Sequence, residues 1–184
     1  NGTLRDCTVA SNRVGGCGGV YMLGGLLADC IITNNNAWWS GRGGGVQIAG
    51  GTVSNCLIAG NSAMYGGGGI YETAGKAISC LITNNNCTSG PGGGVDLEGG
   101  QLVNCLVAHN RLTDPARNQG GGVYMTAGAM LNCTVSDNSL AGGNAGSGLY
   151  ITGGSVTNSI FYYNSPVYPA SASENVYSSG GTIA

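Results

Sequence analysis

Asp96 and Glu98 are the pair in this sequence best placed to do chemistry. They sit two apart in Val95-Asp96-Leu97-Glu98, and along a strand positions i and i+2 project from one face. Side by side, two carboxyls can donate and accept protons in the cleavage of a glycosidic bond. Metal chemistry has less to draw on. The chain has eight cysteines but no Cys-x-x-Cys pair, and His109 is its one histidine. The clustered nitrogen and sulfur ligands of a zinc centre are therefore missing, and neither metal nor cofactor is expected. Aromatic residues offer recognition instead. Trp38-Trp39 and nine tyrosines present flat faces that stack on sugar rings or hold a flat protein partner.

What must position these residues is a repeat. The stretch Gly51 to Asn61, GTVSNCLIAGN, returns with substitutions at 2–12, 25–35, 75–85, 100–110, 128–138 and 154–164. Unbroken recurrence at such a period is the signature of a solenoid, so 1–184 is read as one unit. A column of apolar residues, Val20, Val46, Ile70, Val95, Val123 and Leu149, lies fifteen residues before the closing Asn of each copy, as from Val46 to Asn61. From that Asn to the next such residue the interval varies from 8 to 13. A fixed arc with one elastic loop is what stacked coils require, because insertions can only bulge outward. Apolar residues alternate in short runs punctuated by Gly and Asn, which means strands and turns. Three strands per coil are expected, of the types Gly-Val-Tyr-Met, Thr-Val-Ser and Cys-Leu-Ile-Ala. Each pairs in parallel with its counterpart in the next coil, and about seven coils at ~4.8 Å give a rod about 34 Å long.

Residues sharing a place in the repeat form columns. Asn12, Asn35, Asn61, Asn85, Asn110, Asn138 and Asn164 close the third strand, and Asp6, Asp29, Asn55, Ser79, Asn104, Asn132 and Asn158 separate it from the second. Asn tolerates left-handed backbone, and stacked amides can donate to one neighbour and accept from the other, so both columns read as structural corners. Cys7, Cys30, Cys56, Cys80, Cys105 and Cys133 share the inward parity of the Val and Ile residues and should form a buried ladder. Disulfides between successive rungs are the alternative, although parallel side chains suit their torsions poorly. Cys17 and Cys87 fall in or beside loops and should not meet. The outward residue of the first strand runs Tyr21, Gln47, Tyr71, Asp96, Tyr124, Tyr150, Tyr177. Its tyrosines, with Trp38 and Trp39 in a flanking loop, are the expected binding face. A second outward column, Thr8, Ile31, Leu57, Leu81, Leu106, Thr134 and Ile160, is apolar enough to predict lateral packing against another chain or domain.

The columns weigh against catalysis. No third acid stands at the matching position of a coil adjacent to Asp96 and Glu98, and the nearest bases by column, Arg111 and Lys76, lie off their face. A lone acid pair on a solvated strand reads as surface. Glu72 falls in the inward column of Met22, Ile48, Leu97, Met125 and Ile151. A buried carboxylate needs a partner, and the sequence names none, so a local distortion that lets Glu72 out to solvent is expected.

The pattern resembles right-handed parallel β-helices and looks most like the passenger domains of chlamydial polymorphic outer-membrane proteins, with their GGA[IVL] and FxxN repeats. Gly44-Gly45-Val46, Gly68-Gly69-Ile70, Gly93-Gly94-Val95 and Gly121-Gly122-Val123 are similar to the first motif. Phe161-Tyr162-Tyr163-Asn164 matches the second, as does Ile58-Ala59-Gly60-Asn61 with Ile for Phe. The likeness covers nearly the whole chain. The Cys ahead of the FxxN-like position departs from it and is similar to β-helical surface proteins of environmental bacteria. The resemblance implies an all-β fold, a right-handed single-stranded parallel β-helix. It also implies a bacterial protein that is secreted, displayed at the cell surface and adhesive. Other proteins of such a fold cleave polysaccharides with clustered carboxylates.

Composition narrows the rest. Only 8% of residues are charged and the net charge is -2, so no basic excess is present to neutralise phosphates and nucleic acid is not an expected partner. No apolar run approaches the ~18 residues of a membrane-spanning helix, and no membrane insertion by this segment is expected. The first coil opens at its turn Gly and the chain stops three residues past Gly181. Solenoids need caps, so a piece of a longer array, or ends that stack on other copies, is expected. Residues 155–184, with Ser159 for Cys and with Phe161, Pro166 and Pro169, read as an atypical terminal coil. These features predict a non-enzymatic extracellular rod, a stalk, adhesin or fibre subunit. Its partners would be a glycan or protein at a surface, or other copies of itself. A polysaccharide lyase or hydrolase using Asp96 and Glu98, and a filament assembling end to end, are the alternatives.

Overall fold

The computed structural model describes residues 2–114, 119–142, 145–166 and 175–184; Pro169 of the terminal coil lies outside them. One coil shows the plan. Val46–Ser54 forms a long strand, Leu57–Ala59 a second piece and Ser62–Ala63 a two-residue third piece. From the next coil on, the long strand divides, as into Ile70–Glu72 and Lys76–Ile78. There are thus four strand positions per coil, the first two sharing a 13-stranded sheet and the others each forming a 7-stranded sheet.

All pairing is parallel and coil to coil, so the columns of the sequence are the observed register. Val46 pairs with Ile70, Ile70 with Val95 and Val95 with Val123. Ile31, Leu57, Leu81 and Leu106 pair in the same way. Seven rungs in each smaller sheet correspond to about six full turns of a parallel β-helix. The main core is a stack of Val, Ile, Leu, Met and Cys, including Ile58, Ile82, Val107 and Val135.

The corners have a physical cause that the sequence located only in part. Before each third strand one residue is left-handed, from Asp6 (φ 54°) through Asn55 (φ 52°) to Asn158 (φ 48°). At the next corner the left-handed residue is not the ladder Asn but the one ahead of it: Ser11, Asn34, Gly60, Asn84, His109, Asp137 and Tyr163. That residue absorbs the turn, and the following Asn points inward.

The Asn61 amide shows the result. Its Nδ2 donates to the Ile32 carbonyl at 2.9 Å and to Asn85 Oδ1 at 3.0 Å. Its Oδ1 accepts from the backbone N–H of Asn35 at 2.9 Å and from Asn35 Nδ2 at 3.0 Å. Each interior amide is therefore satisfied within the ladder although buried, which is the condition for keeping a polar group in a core. Asn12, on the first rung, is exposed. The second Gly of each Gly-Gly-Val lies against this ladder. A Cβ on Gly45 would come within 2.8 Å of Ile58 Cγ2 and 2.9 Å of Asn61 Nδ2.

The fourth strand was not foreseen. Its inward residues are Ala37, Ala63, Cys87, Leu112 and Leu140, and the last three pack as a separate small cluster. Cys87 is therefore a core residue in a strand, not a loop residue, and burial pushes its thiol up to about 11. Cys30, Cys56, Cys80, Cys105 and Cys133 form the expected buried ladder, Cys7 is half-buried, and all eight thiols are free. Each ladder thiol is also hydrogen-bonded: Cys56 Sγ donates to the Ser54 carbonyl at 3.2 Å and accepts from the Cys30 N–H at 3.4 Å.

Candidate functional site

The outward face of the first strands is only partly open, because the variable loops arch across it. Tyr21, on the first rung, is exposed, Tyr71 is buried and Asp96 has no exposed surface. Asp96 does project outward, paired between Tyr71 and Tyr124. The loop of the preceding coil closes over it so tightly that a Cβ on Gly66 would lie 2.3 Å from Asp96 Oδ2. Neither carboxyl oxygen has a hydrogen-bond partner among the described residues. Burial first, and Glu98 second, raise its pKa to about 8 against the opposing pull of Arg42, so the folded protein keeps Asp96 protonated at neutral pH.

Glu98 has a different fate. Arg42 Nη1 donates to Oε1 at 2.7 Å and the Tyr71 hydroxyl donates to Oε2 at 2.7 Å. The Arg42 guanidinium also lies 4.7 Å from the centre of the Tyr71 ring, and burial and Glu98 push the Tyr71 phenol up to about 12. The expected acid pair on a solvated strand is thus corrected. One carboxyl is sealed and neutral, the other is half-buried and held by a cation. The base that joins them is Arg42 rather than Arg111 or Lys76. It lies in a variable loop outside every column, which is why the repeat gave no sign of it.

Glu72 is corrected too. It has no exposed surface and stays in register between Ile48 and Leu97, so no distortion releases it. Its Oε1 accepts from the Gln101 N–H at 2.9 Å, while Oε2 has no partner among the described residues. Burial lifts its pKa to about 8 despite that hydrogen bond.

The tyrosine column divides into three. Tyr124 and Tyr150 stack with ring centres 5.6 Å apart, and Tyr150 and Tyr177 at 4.7 Å, so these rings cover one another. Tyr71 lies under Arg42, and Tyr21 has no stacked ring among the described residues. The Trp38-Trp39 loop is the more open aromatic feature. Trp39 is 70% exposed and has a left-handed backbone, φ 74°. Trp38 meets it edge-on at 5.7 Å and carries the Arg13 guanidinium 4.8 Å over its ring. The two indoles, with Asn36, Ser62, Met64 and Thr88, line a cavity of about 240 Å³. In the apolar column, Ile31, Leu81, Leu106 and Ile160 are exposed and Leu57 is half-buried.

Among the described residues no three His, Cys, Asp or Glu side chains gather as metal ligands, and no helix is long and apolar enough to cross a membrane. Compared with known proteins, the pattern of the family described as right handed beta helix region matches residues 1–166. No curated protein and no solved structure matches the chain.

Proposed function

The chain belongs to the right-handed β-helix family, and from that premise we propose that it is a non-enzymatic extracellular rod that binds glycan through its outer face. The reading is carried by the asymmetry of the acid pair. A general acid must reach the substrate oxygen it protonates, and Asp96 is closed off beneath Gly66. Glu98, which would be its partner, accepts from Arg42 and Tyr71. What remains open on this side of the rod is aromatic and polar surface, suited to recognition. The likeness to passenger domains of chlamydial polymorphic outer-membrane proteins supports secretion by a bacterium and display at its surface. A glycan array tests the proposal: retention on one class of glycan is expected, and no retention on any would overturn it.

The exposed apolar column favours lateral self-association as a second reading. Leu57→Asp and Leu81→Asp are then expected to shift a concentration-dependent oligomer to monomer in light scattering. A chain that is monomeric at high concentration, with those variants unchanged, refutes it.

A further inference from the structure

We propose that the Trp38-Trp39 loop and the fourth strands beside it form a subsite for one uncharged pyranose ring of a polysaccharide. This rests on the glycan-binding reading above and adds a place and a ligand class to it. Trp39 exposes 70% of its surface although indole is a large apolar group whose burial is favourable. Its φ of 74° puts a bulky residue where such residues are outliers. Strain of this kind persists where the surroundings hold it, and it clusters at ligand clamps. Trp38 is the fixed indole: its backbone N–H donates to the Val14 carbonyl at 3.0 Å, Arg13 lies over its ring, and it meets Trp39 edge-on. Trp39 is left as an open platform.

Besides the indoles, Ala63 and Met64, the cavity is lined by three polar, uncharged side chains, Asn36, Ser62 and Thr88. Asn36 and Ser62 pair in register on adjacent fourth strands, alternating with the inward Ala37 and Ala63. An amide and a hydroxyl therefore stand one strand spacing apart. On the next rung Thr88 Oγ1 lies 3.4 Å from the Ala63 carbonyl, which leaves its oxygen free to accept. An aromatic ring facing short neutral donors and acceptors suits a sugar, whose C–H face stacks while its rim hydroxyls hydrogen-bond. The lining side chains carry no charge, and the nearby Arg13 is engaged with Trp38, which favours a neutral ring over a uronic acid. A volume of about 240 Å³ lies below the ~300–1,000 Å³ of drug-sized sites, enough for one ring and not for several.

The chain has two tryptophans, and both are here, so any ligand-induced change in indole fluorescence reports this loop. The full chain is titrated with neutral gluco-, manno- and galacto-oligosaccharides and with oligogalacturonate. A saturable emission change with a neutral oligosaccharide is expected. Trp39→Ala should weaken its binding about tenfold or more, Trp39→Phe should retain most of it, and both should keep the wild-type circular-dichroism spectrum. Response to oligogalacturonate alone overturns the ligand class. Unaltered affinity in Trp39→Ala, measured calorimetrically, overturns the platform. If polysaccharide is retained while no oligosaccharide perturbs the indoles, the subsite is wrong and the glycan-binding rod survives. If nothing is retained, both fall.

Discussion

Replacing Asp96 by Asn should flatten much of the dependence of this protein's stability on pH. An ordinary Asp titrates near 3.9 when the chain is unfolded, and burial holds the folded carboxyl at about 8. Between those values the unfolded chain has released the proton and the folded chain has not. The folded state therefore binds more protons, and stability falls as pH rises. The contribution of Asp96 is fully present below about pH 4 and is lost progressively until pH passes about 8. From 3.9 to 7 is about three units, and at 1.36 kcal/mol each the loss is on the order of 4 kcal/mol. That is large against the ~5–15 kcal/mol that holds a typical domain together. Asn is nearly isosteric and carries no charge at any pH, so Asp96→Asn removes this slope while leaving the packing under Gly66 intact. The assay is urea denaturation followed by circular dichroism at pH 5 and pH 8, comparing midpoints. The wild type should lose much more between the two than Asp96→Asn does. Equal losses in the two proteins would refute the burial argument and reopen Asp96 as a solvated acid.

Three further outcomes follow from the same geometry. Glu72→Gln should remove a separate part of the pH slope, because burial also holds this core carboxyl at about 8; the same denaturation series reads it, and a slope unchanged from wild type counts against it. Asn85→Ala deletes an amide hydrogen-bonded to Asn61, Ile58 and Asn110 and should destabilise by about 3–5 kcal/mol, whereas a loss below ~1 kcal/mol would mean the ladder is ornamental. The buried cysteines should resist a thiol reagent in the native protein and all eight should react in denaturant without reductant, whereas fewer than eight would point to disulfides between rungs.

The fold was legible because a solenoid writes its register into the chain. Once Ile58, Ile82 and Val107 occupy one place in the repeat, stacking them is the way to bury them, and the observed pairing follows. The two-residue strand Ser62–Ala63 escaped because alternation over two residues has no period to detect. The ladder Asn column was found, yet its left-handed neighbour was missed. That place is filled by Ser11, Gly60, His109 and Tyr163 among others, types too varied to read as a turn. The site was harder still. Which way Asp96 points follows from parity, but what covers it depends on loops of unequal length that carry no repeat. Arg42 and Gly66 lie in such loops, and they decide whether a carboxyl is paired or sealed; Trp39 lies in one too. Glu72 misled for the opposite reason. Its column was right, and the expectation of a distortion underrated how far a protonated acid with one backbone donor can be tolerated in a core.

The direct test of the account is to count new reducing ends, and unsaturated ends by ultraviolet absorbance, on whichever polysaccharide the protein retains. Long incubation with wild-type, Asp96→Asn and Glu98→Gln proteins should leave the glycan bound and its chain length unchanged in all three. Release of fragments by the wild type that disappears in either variant would contradict the account and make the Asp96–Glu98 strand an active site.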